Sequence, residues 1–409
     1  MNSILKKPIF MIPLAILITN IGNGMYTLAV GVLMYQKTGS TSAFAFVLVL
    51  ESLINFLIQA TASVAVDKGT AKKCAVISDI VRGVFVIIAG LFVSQGYIGA
   101  IYIGVFAINL MKPFFKTSMF AIGPLMYEDD KLAQFMSRIS ISQQTGQLIG
   151  AGIASTIIAL IGGVGCIIVN GISFFLSAAC FLLIEIPEIK SDEKLKLIHL
   201  ISPKLIFEEW KNALKKISQS RVVMLMFSIC FIDFLVVNFI NMIYAPVIAG
   251  IKTSLLWISA WDALFAVGAI IGASIFSKIR YVRDRYKVVP VCLLFEGISL
   301  LIFKISSPLI ITIGMIFIGM INSISVSNIS YKLQTGIGKT YNGRIAGVRQ
   351  FLISGTSIIF IPLISKQLNI SVLRASNLMC GICVIGALIA VVCLYYFESE
   401  KKIVKNVNE

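Results

Sequence analysis

Apolar residues occur along this chain in long, nearly unbroken stretches, with few polar positions among them. About 20 such residues suffice to cross the hydrocarbon core of a bilayer as helix. Twelve stretches meet that length: 9–34, 41–66, 74–95, 98–126, 132–160, 162–187, 220–248, 254–279, 286–306, 308–334, 341–366 and 370–397. The short alternating strands of a membrane β-barrel do not occur. The pattern therefore predicts an all-α membrane protein with twelve transmembrane helices. The first stretch follows Lys6 and Lys7. It is too long for a signal-peptide core and no small-residue cleavage site closes it, so it reads as the first membrane helix.

The connections are short, except for one charged segment between the sixth and seventh stretches. It divides the chain into a bundle over 1–187, a linker over 188–219, a second bundle over 220–397 and a tail over 398–409. Within the linker, Leu205, Ile206, Trp210 and Leu214 recur near helical spacing. They predict an amphipathic helix lying on the inner leaflet, where Lys204, Lys211, Lys215 and Lys216 meet anionic lipid. A partner-binding helix is the alternative.

The two bundles repeat one another. The first stretch contains Asn20, Asn23 and Tyr26, and the seventh contains Asn238, Asn241 and Tyr244, both reading N-x-x-N-x-x-Y at an offset of 218. Asp67-Lys68 and Asp284-Arg285 follow the second and eighth stretches at an offset of 217, as do Asp79 and Glu296 in the third and ninth. Both halves start on the same side, so the repeats are parallel, related by an axis along the membrane normal. Residues three apart share a helix face. The two stripes are therefore polar faces on apolar helices. They serve either as interhelical packing contacts or as walls of a central substrate cavity.

Composition supports this and removes other classes. Hydrophobic residues make up 58% of the chain and charged residues 13%, against about 25% charged in soluble domains. Mean hydropathy is +0.94. Soluble enzymes, secreted disulfide proteins and disordered chains are excluded. A formal charge of +16 suggests nucleic acid in a soluble protein, but here its placement matters more. With the N-terminus inside, only Lys37, Lys252, Lys304, Lys366 and Arg374 of 35 basic residues fall at the outer connections. That asymmetry predicts a multi-pass plasma-membrane protein with both termini cytoplasmic, and no nucleic-acid partner. The eight cysteines lie nearly all in apolar runs, where they act as small hydrophobes. No metal site, cofactor site, phosphate loop or catalytic triad is legible, so an enzyme is not expected.

Acids within the spans are the exceptions that carry chemistry, because an ionised group there is costly. Glu51 and Asp233 lie near the midplane by helical rise. A buried carboxylic acid can hold a proton and release it when wetted from the other side. Asp233 is the first candidate for proton coupling, since its helix also carries Asn238 and Asn241, and Glu51 is the second.

Local motifs sharpen the assignment. The stretch Ser63, Val64, Ala65, Val66, Asp67, Lys68, Gly69, Thr70, Ala71, Lys72, Lys73 resembles the G-x-x-x-D-R-x-G-R-R-K signature of the major facilitator superfamily, and twelve helices in two parallel halves fit its fold. The segments Tyr35–Ser40, Ser78-Asp79 with Arg82-Gly83, and Gly343-Arg344 resemble its macrolide-efflux-like branch of drug exporters. Gly146, Gly150 and Gly152 resemble the superfamily's antiporter motif, G-x-x-x-G-P-x-x-G-G, and equally suit a helix-packing seam. The fourth stretch lacks the arginine of the superfamily's R-x-x-Q-G motif. The resemblance implies that Asp67 faces the start of the eleventh helix near Tyr341–Gly343 as a cytoplasmic gate, with Lys68, Lys72 and Lys73 in support. It also implies that the third and ninth helices are peripheral, which makes Asp79 and Glu296 structural.

The expected function is secondary active transport: proton-coupled export of an amphipathic organic compound by a monomer in the bilayer. Export of a lysolipid, siderophore or metabolite is the alternative within the fold. A non-transporting receptor or immunity protein is the alternative outside it.

Overall fold

The computed structural model describes residues 7–38, 42–68, 71–187, 203–252, 256–278, 285–305 and 307–408. Among these residues the regular structure is helical throughout. The helices are α1 (Pro8–Thr38), α2 (Ser42–Lys68), α3 (Ala71–Ser94), α4 (Ile101–Met126), α5 (Asp129–Leu182), α6 (Pro203–Ser218), α7 (Arg221–Ile229), α8 (Ile232–Ile251), α9 (Leu256–Lys278), α10 (Val289–Ser299), α11 (Pro308–Thr335), α12 (Asn342–Ile370) and α13 (Val372–Asn408). In hydrocarbon, backbone groups find no water, and a helix satisfies them within its own segment.

Nine helical stretches among the described residues are long and apolar enough to cross a membrane. The described residues of the three remaining stretches are helical as well. Helix α2 is apolar along most of its length. The first limb of α5 carries Asp129, Asp130, Lys131 and Arg138. The stretch 286–306 is broken, with α10 giving way to a 3-10 turn over Leu300–Lys304.

Two other boundaries follow from local chemistry. The turn expected at 160–163 lies at Gly162, whose φ of 73° and ψ of 171° separate the two limbs of α5; glycine reaches such angles without a Cβ penalty. The stretch 220–248 crosses as one apolar length, Arg221–Ile248. It is irregular at Cys230 and Phe231, where α7 passes into α8 with right-handed angles kept, and Asp233 lies in the first turn of α8.

The chain forms two compact units. One comprises Met1–Ala213 with Lys339–Phe351, the other Leu214–Gly338 with Leu352–Glu409. In the first unit, Ile12, Ile16, Val66, Ile122, Phe135 and Phe181 form one core cluster, and Tyr26, Val86, Val105, Ile167 and Phe174 form another. In the second, Trp261, Phe239, Phe276, Leu293 and Ile318 are buried. Helix α3 shows how such a bundle is ordered. Ser78, Asp79 and Arg82 are buried, whereas Ile77, Ile80, Val84, Phe85, Ile88 and Leu91 are exposed. An apolar exterior around polar contacts suits a protein whose solvent is lipid.

Close helix contacts depend on missing side chains. A Cβ on Gly146 would lie 2.6 Å from the Leu17 carbonyl oxygen of α1, and one on Gly150 would strike that of Ile21. In return a Cβ on Gly24 would lie 2.9 Å from the Gln147 carbonyl oxygen. The second unit has its own seam, where Gly268 and Gly272 of α9 abut the Ile316 and Met320 carbonyls of α11. Gly152 has nothing within 4 Å of an added Cβ and does not belong to the α1–α5 seam. Replacing Gly150 by alanine is expected to destabilise by about 1–3 kcal/mol, the usual cost of overpacking. Gly152→Ala should be neutral or stabilising by up to about 1 kcal/mol. Thermal unfolding in detergent compares the two, and equal effects would refute this assignment of the seam.

Candidate functional site

Asp67, the penultimate residue of α2, reaches the start of α12 within the first unit. Its Oδ1 accepts a hydrogen bond from the Gly343 amide at 2.6 Å. Its Oδ2 accepts from the Arg344 amide at 2.9 Å and from Arg344 Nε at 2.8 Å. The first amides of a helix lack intrahelical acceptors, and the positive end of the helix favours an anion. Gly343 has to be glycine here, because a Cβ would lie 2.7 Å from the Ser63 carbonyl and press on the Asp67 carboxylate. The Asp67–Arg344 pair is nearly sealed, with side chains 2% and 8% exposed.

Arg344 organises the remaining contacts. Its Nη1 pairs with Glu209 of α6 and its Nη2 donates to the Thr340 carbonyl at 2.9 Å. The guanidinium lies 4.3 Å from the centre of the Tyr341 ring. On the same helix as Glu209, Trp210 donates from Nε1 to Ser63 Oγ at 3.1 Å and meets Phe351 edge-on at 5.6 Å. Phe56 stacks on Phe351 at 4.9 Å. A Cβ on Gly347 would lie 2.8 Å from Ser63 Oγ. The apolar side of α6 thus meets protein through Trp210 and Ala213, while Leu214 and Phe207 are exposed. At the edge of the cluster, exposed Lys339 pairs with Glu128 at 2.5 Å, which holds that carboxyl below its usual range.

The basic residues grouped with Asp67 go elsewhere. Lys72 Nζ donates to the Ile184 carbonyl at 2.6 Å and the Leu182 carbonyl at 3.4 Å, capping the end of α5. Lys73 is exposed. The side chain of Lys68 lies outside the described residues, as does that of Glu51.

The two Asn-Asn-Tyr stripes have similar local conformations in their separate units. Asn20 donates to the Ile16 carbonyl at 2.7 Å, and Asn238 to the Phe234 carbonyl at 2.8 Å. Each amide is thus satisfied one turn back on its own helix, and both residues are half-buried. Asn23 is half-buried and Asn241 exposed. The tyrosines turn into the bundles. Tyr26 joins the core with Val86 and Phe174, and Tyr244 packs 6.0 Å from Trp261.

Two polar centres lie deeper. In the first unit, Asp79 pairs with Arg82, and its Oδ2 accepts from Ser177 Oγ at 2.7 Å. Arg82 lies between the Phe115 and Phe174 rings at 4.5 and 4.4 Å. In the second unit, Asp233 Oδ2 accepts from Ser325 Oγ at 3.1 Å. Asn322 Nδ2 donates to Glu296 Oε1 at 2.7 Å and to the Asp233 carbonyl at 3.2 Å. Sequence reading separated Asp233 from Glu296; the structure brings them together. It also adds Asn322, Ser325, Glu209 and the pairing role of Arg344. Arg344 was legible as part of the Gly343-Arg344 segment, whereas the signal of the other three was polarity within or beside apolar stretches.

Long apolar helices with a few buried polar centres suit a membrane protein. Residues 13–362 match the model of the Major Facilitator Superfamily, and the chain belongs to that family. It is therefore a multi-pass membrane transporter and not an enzyme. No curated protein matches it in sequence. Among solved structures it is similar to a bacterial homologue of the iron transporter ferroportin in its outward-facing state, at a TM-score of 0.72 and 15% identity over 96% of this chain and 100% of that one. It is also similar to the E. coli fucose:proton symporter, at 0.67 and 13% over 94% and 98%. A third likeness is to the proton:xylose symporter XylE, at 0.66 and 14% over 95% of each. At these identities the likeness is one of fold.

Removing one partner of a buried ion pair costs about 3–5 kcal/mol. Asp67→Asn is expected to destabilise by that amount in thermal unfolding. Arg344→Lys, which keeps the charge and loses the fork, should cost about 1–3 kcal/mol. Unchanged melting temperatures in both variants would show that the cluster holds nothing together.

Proposed function

We propose that the chain exports amphipathic organic compounds, of the drug or macrolide type, in exchange for protons. It sits in the plasma membrane with both termini in the cytoplasm, and it acts as a monomer by alternating access. The observation that carries the coupling is Asp233, 2% exposed on an apolar helix, with a hydroxyl as its side-chain donor and a second acid beside it. Such a group exchanges its proton only when the bundle opens to water. Glu51 is the second coupling candidate. Asn20, Asn23, Asn238 and Asn241 serve as substrate-facing positions in this reading, while Tyr26 and Tyr244 are buried within the bundles. The half-buried asparagines keep a carbonyl oxygen available after their amides bond backward. The Asp67–Arg344–Glu209 cluster acts as the cytoplasmic gate, since opening it unpairs sealed charges and thereby opposes leakage.

Proteoliposomes loaded at acid pH and diluted into neutral medium test the exchange. Radiolabelled erythromycin is expected to accumulate inside while protons leave, and a protonophore should abolish accumulation. Asp233→Asn should lower gradient-driven accumulation at least about tenfold, equivalent to 1.4 kcal/mol, while downhill exchange persists. Accumulation indifferent to the pH gradient, or intact in both Asp233→Asn and Glu51→Gln, would overturn the reading.

A further inference from the structure

One acid of the second unit takes no part in the contacts above. Asp262 lies in α9, six residues after Leu256, or about 9 Å into the helix by its rise. It is exposed, and among the described residues it makes no hydrogen bond or ion pair. A carboxylate at that depth is costly against lipid, and it is tolerated where it faces water or a charged partner. Its place on the helix agrees. Val267, Ile271 and Ile275 form an exposed apolar face of α9. At about 100° per residue, Asp262 lies opposite Ile271 and about 140° from both Val267 and Ile275. It therefore stands on the side of α9 turned away from lipid.

An aromatic cluster adjoins it. Trp261, the residue before Asp262, is fully buried, and its Nε1 donates to Thr312 Oγ1 at 3.2 Å and to the Pro308 carbonyl at 3.4 Å. These bonds to α11 fix the indole. Trp257, one turn earlier and half-buried, lies 6.3 Å from the Trp261 ring, and Tyr244 of α8 lies 6.0 Å from it. The Tyr244 side chain is 5% exposed, and its hydroxyl has no hydrogen-bond partner among the described residues. The cluster thus keeps one polar group unused beside its rings.

An acid next to electron-rich rings suits an organic cation. The carboxylate supplies the charge, and ring faces attract an ammonium or phosphonium group while accepting its apolar substituents. A metal ion asks for several ligands, and among the described residues no group of three or more histidines, cysteines or acids gathers to hold one. A bare proton gives the rings no role.

We propose that Asp262, with Trp257, Trp261 and Tyr244 at its side, binds the positively charged group of an amphipathic organic cation. That this cation is the exported cargo rests on the transport reading above; binding itself rests on α8 and α9.

Radiolabelled tetraphenylphosphonium, with a permanent charge and aromatic substituents, is the probe, and scintillation proximity with the full chain in detergent measures its binding. Saturable binding is expected in the wild type. Asp262→Asn should weaken it at least about tenfold, the scale of a lost charged contact, and Asp262→Glu should recover most of the loss. Melting temperatures should agree among the three proteins, because Asp262 holds no partner within the fold. Should Asp262→Asn fail to fold, carbodiimide labelling of Asp262 in the wild type, read by mass spectrometry, decides the matter: the cation should protect it, and undiminished labelling would refute the contact. Absence of binding in the wild type, or equal binding in Asp262→Asn, overturns the cation site whether or not erythromycin accumulates under a pH gradient. Binding that depends on Asp262 in a protein that accumulates no erythromycin upholds the site and counts against the export reading instead.

Discussion

Burying an ionised group costs several kcal/mol even after the protein relaxes, and that cost shapes how this chain is arranged. Each sealed acid has a distinct solution. Asp79 has Arg82, held between two aromatic rings. Asp67 has the amides at the start of α12 together with the Arg344 guanidinium. Asp233 and Glu296 accept from uncharged donors, Ser325 and Asn322. The first two solutions use cations that the chain supplies. The third, in the proposed reading, is completed at Asp233 by a proton from solvent, which is why the proposed coupling falls there.

The same constraint places glycines beside the polar centres as well as in the helix seams. Polar groups in an apolar bundle have to meet partners across helices, so backbones must come close. Gly343 and Gly347 admit α2 to the face of α12, and Gly297 admits α13 to α10. At each position the absent side chain lies beside a polar centre. Proposed gating and proton binding thus share a structural requirement, although their chemistry differs.

Much of this was legible in the sequence, and the losses have physical causes. Runs of apolar residues locate helices well, and the turn at Gly162 fell where expected because a glycine pair interrupts the run. The irregularities after Ile229 and Ser299 were hidden, since hydropathy does not register a turn of altered hydrogen bonding. Asp67 was found through its motif, but Arg344 and Glu209 were not assigned to it. Those partners come from α12 and α6, and no local spacing encodes a contact over such distance. Lys72 was grouped with Asp67 by proximity in the chain, yet its side chain reaches the end of α5. The repeat aligned Asp79 with Glu296, and both are buried. It could not show that their partners differ, because Arg82 lies one turn from Asp79, whereas Asn322 reaches Glu296 from another helix.

The proposed exchange of substrate for protons is open to a direct measurement: proton release on substrate binding by the purified transporter in weakly buffered solution. Addition of erythromycin is predicted to release protons, with release lost when Asp233→Asn and Glu51→Gln are combined. Binding that leaves the pH unchanged in the wild type would contradict the account.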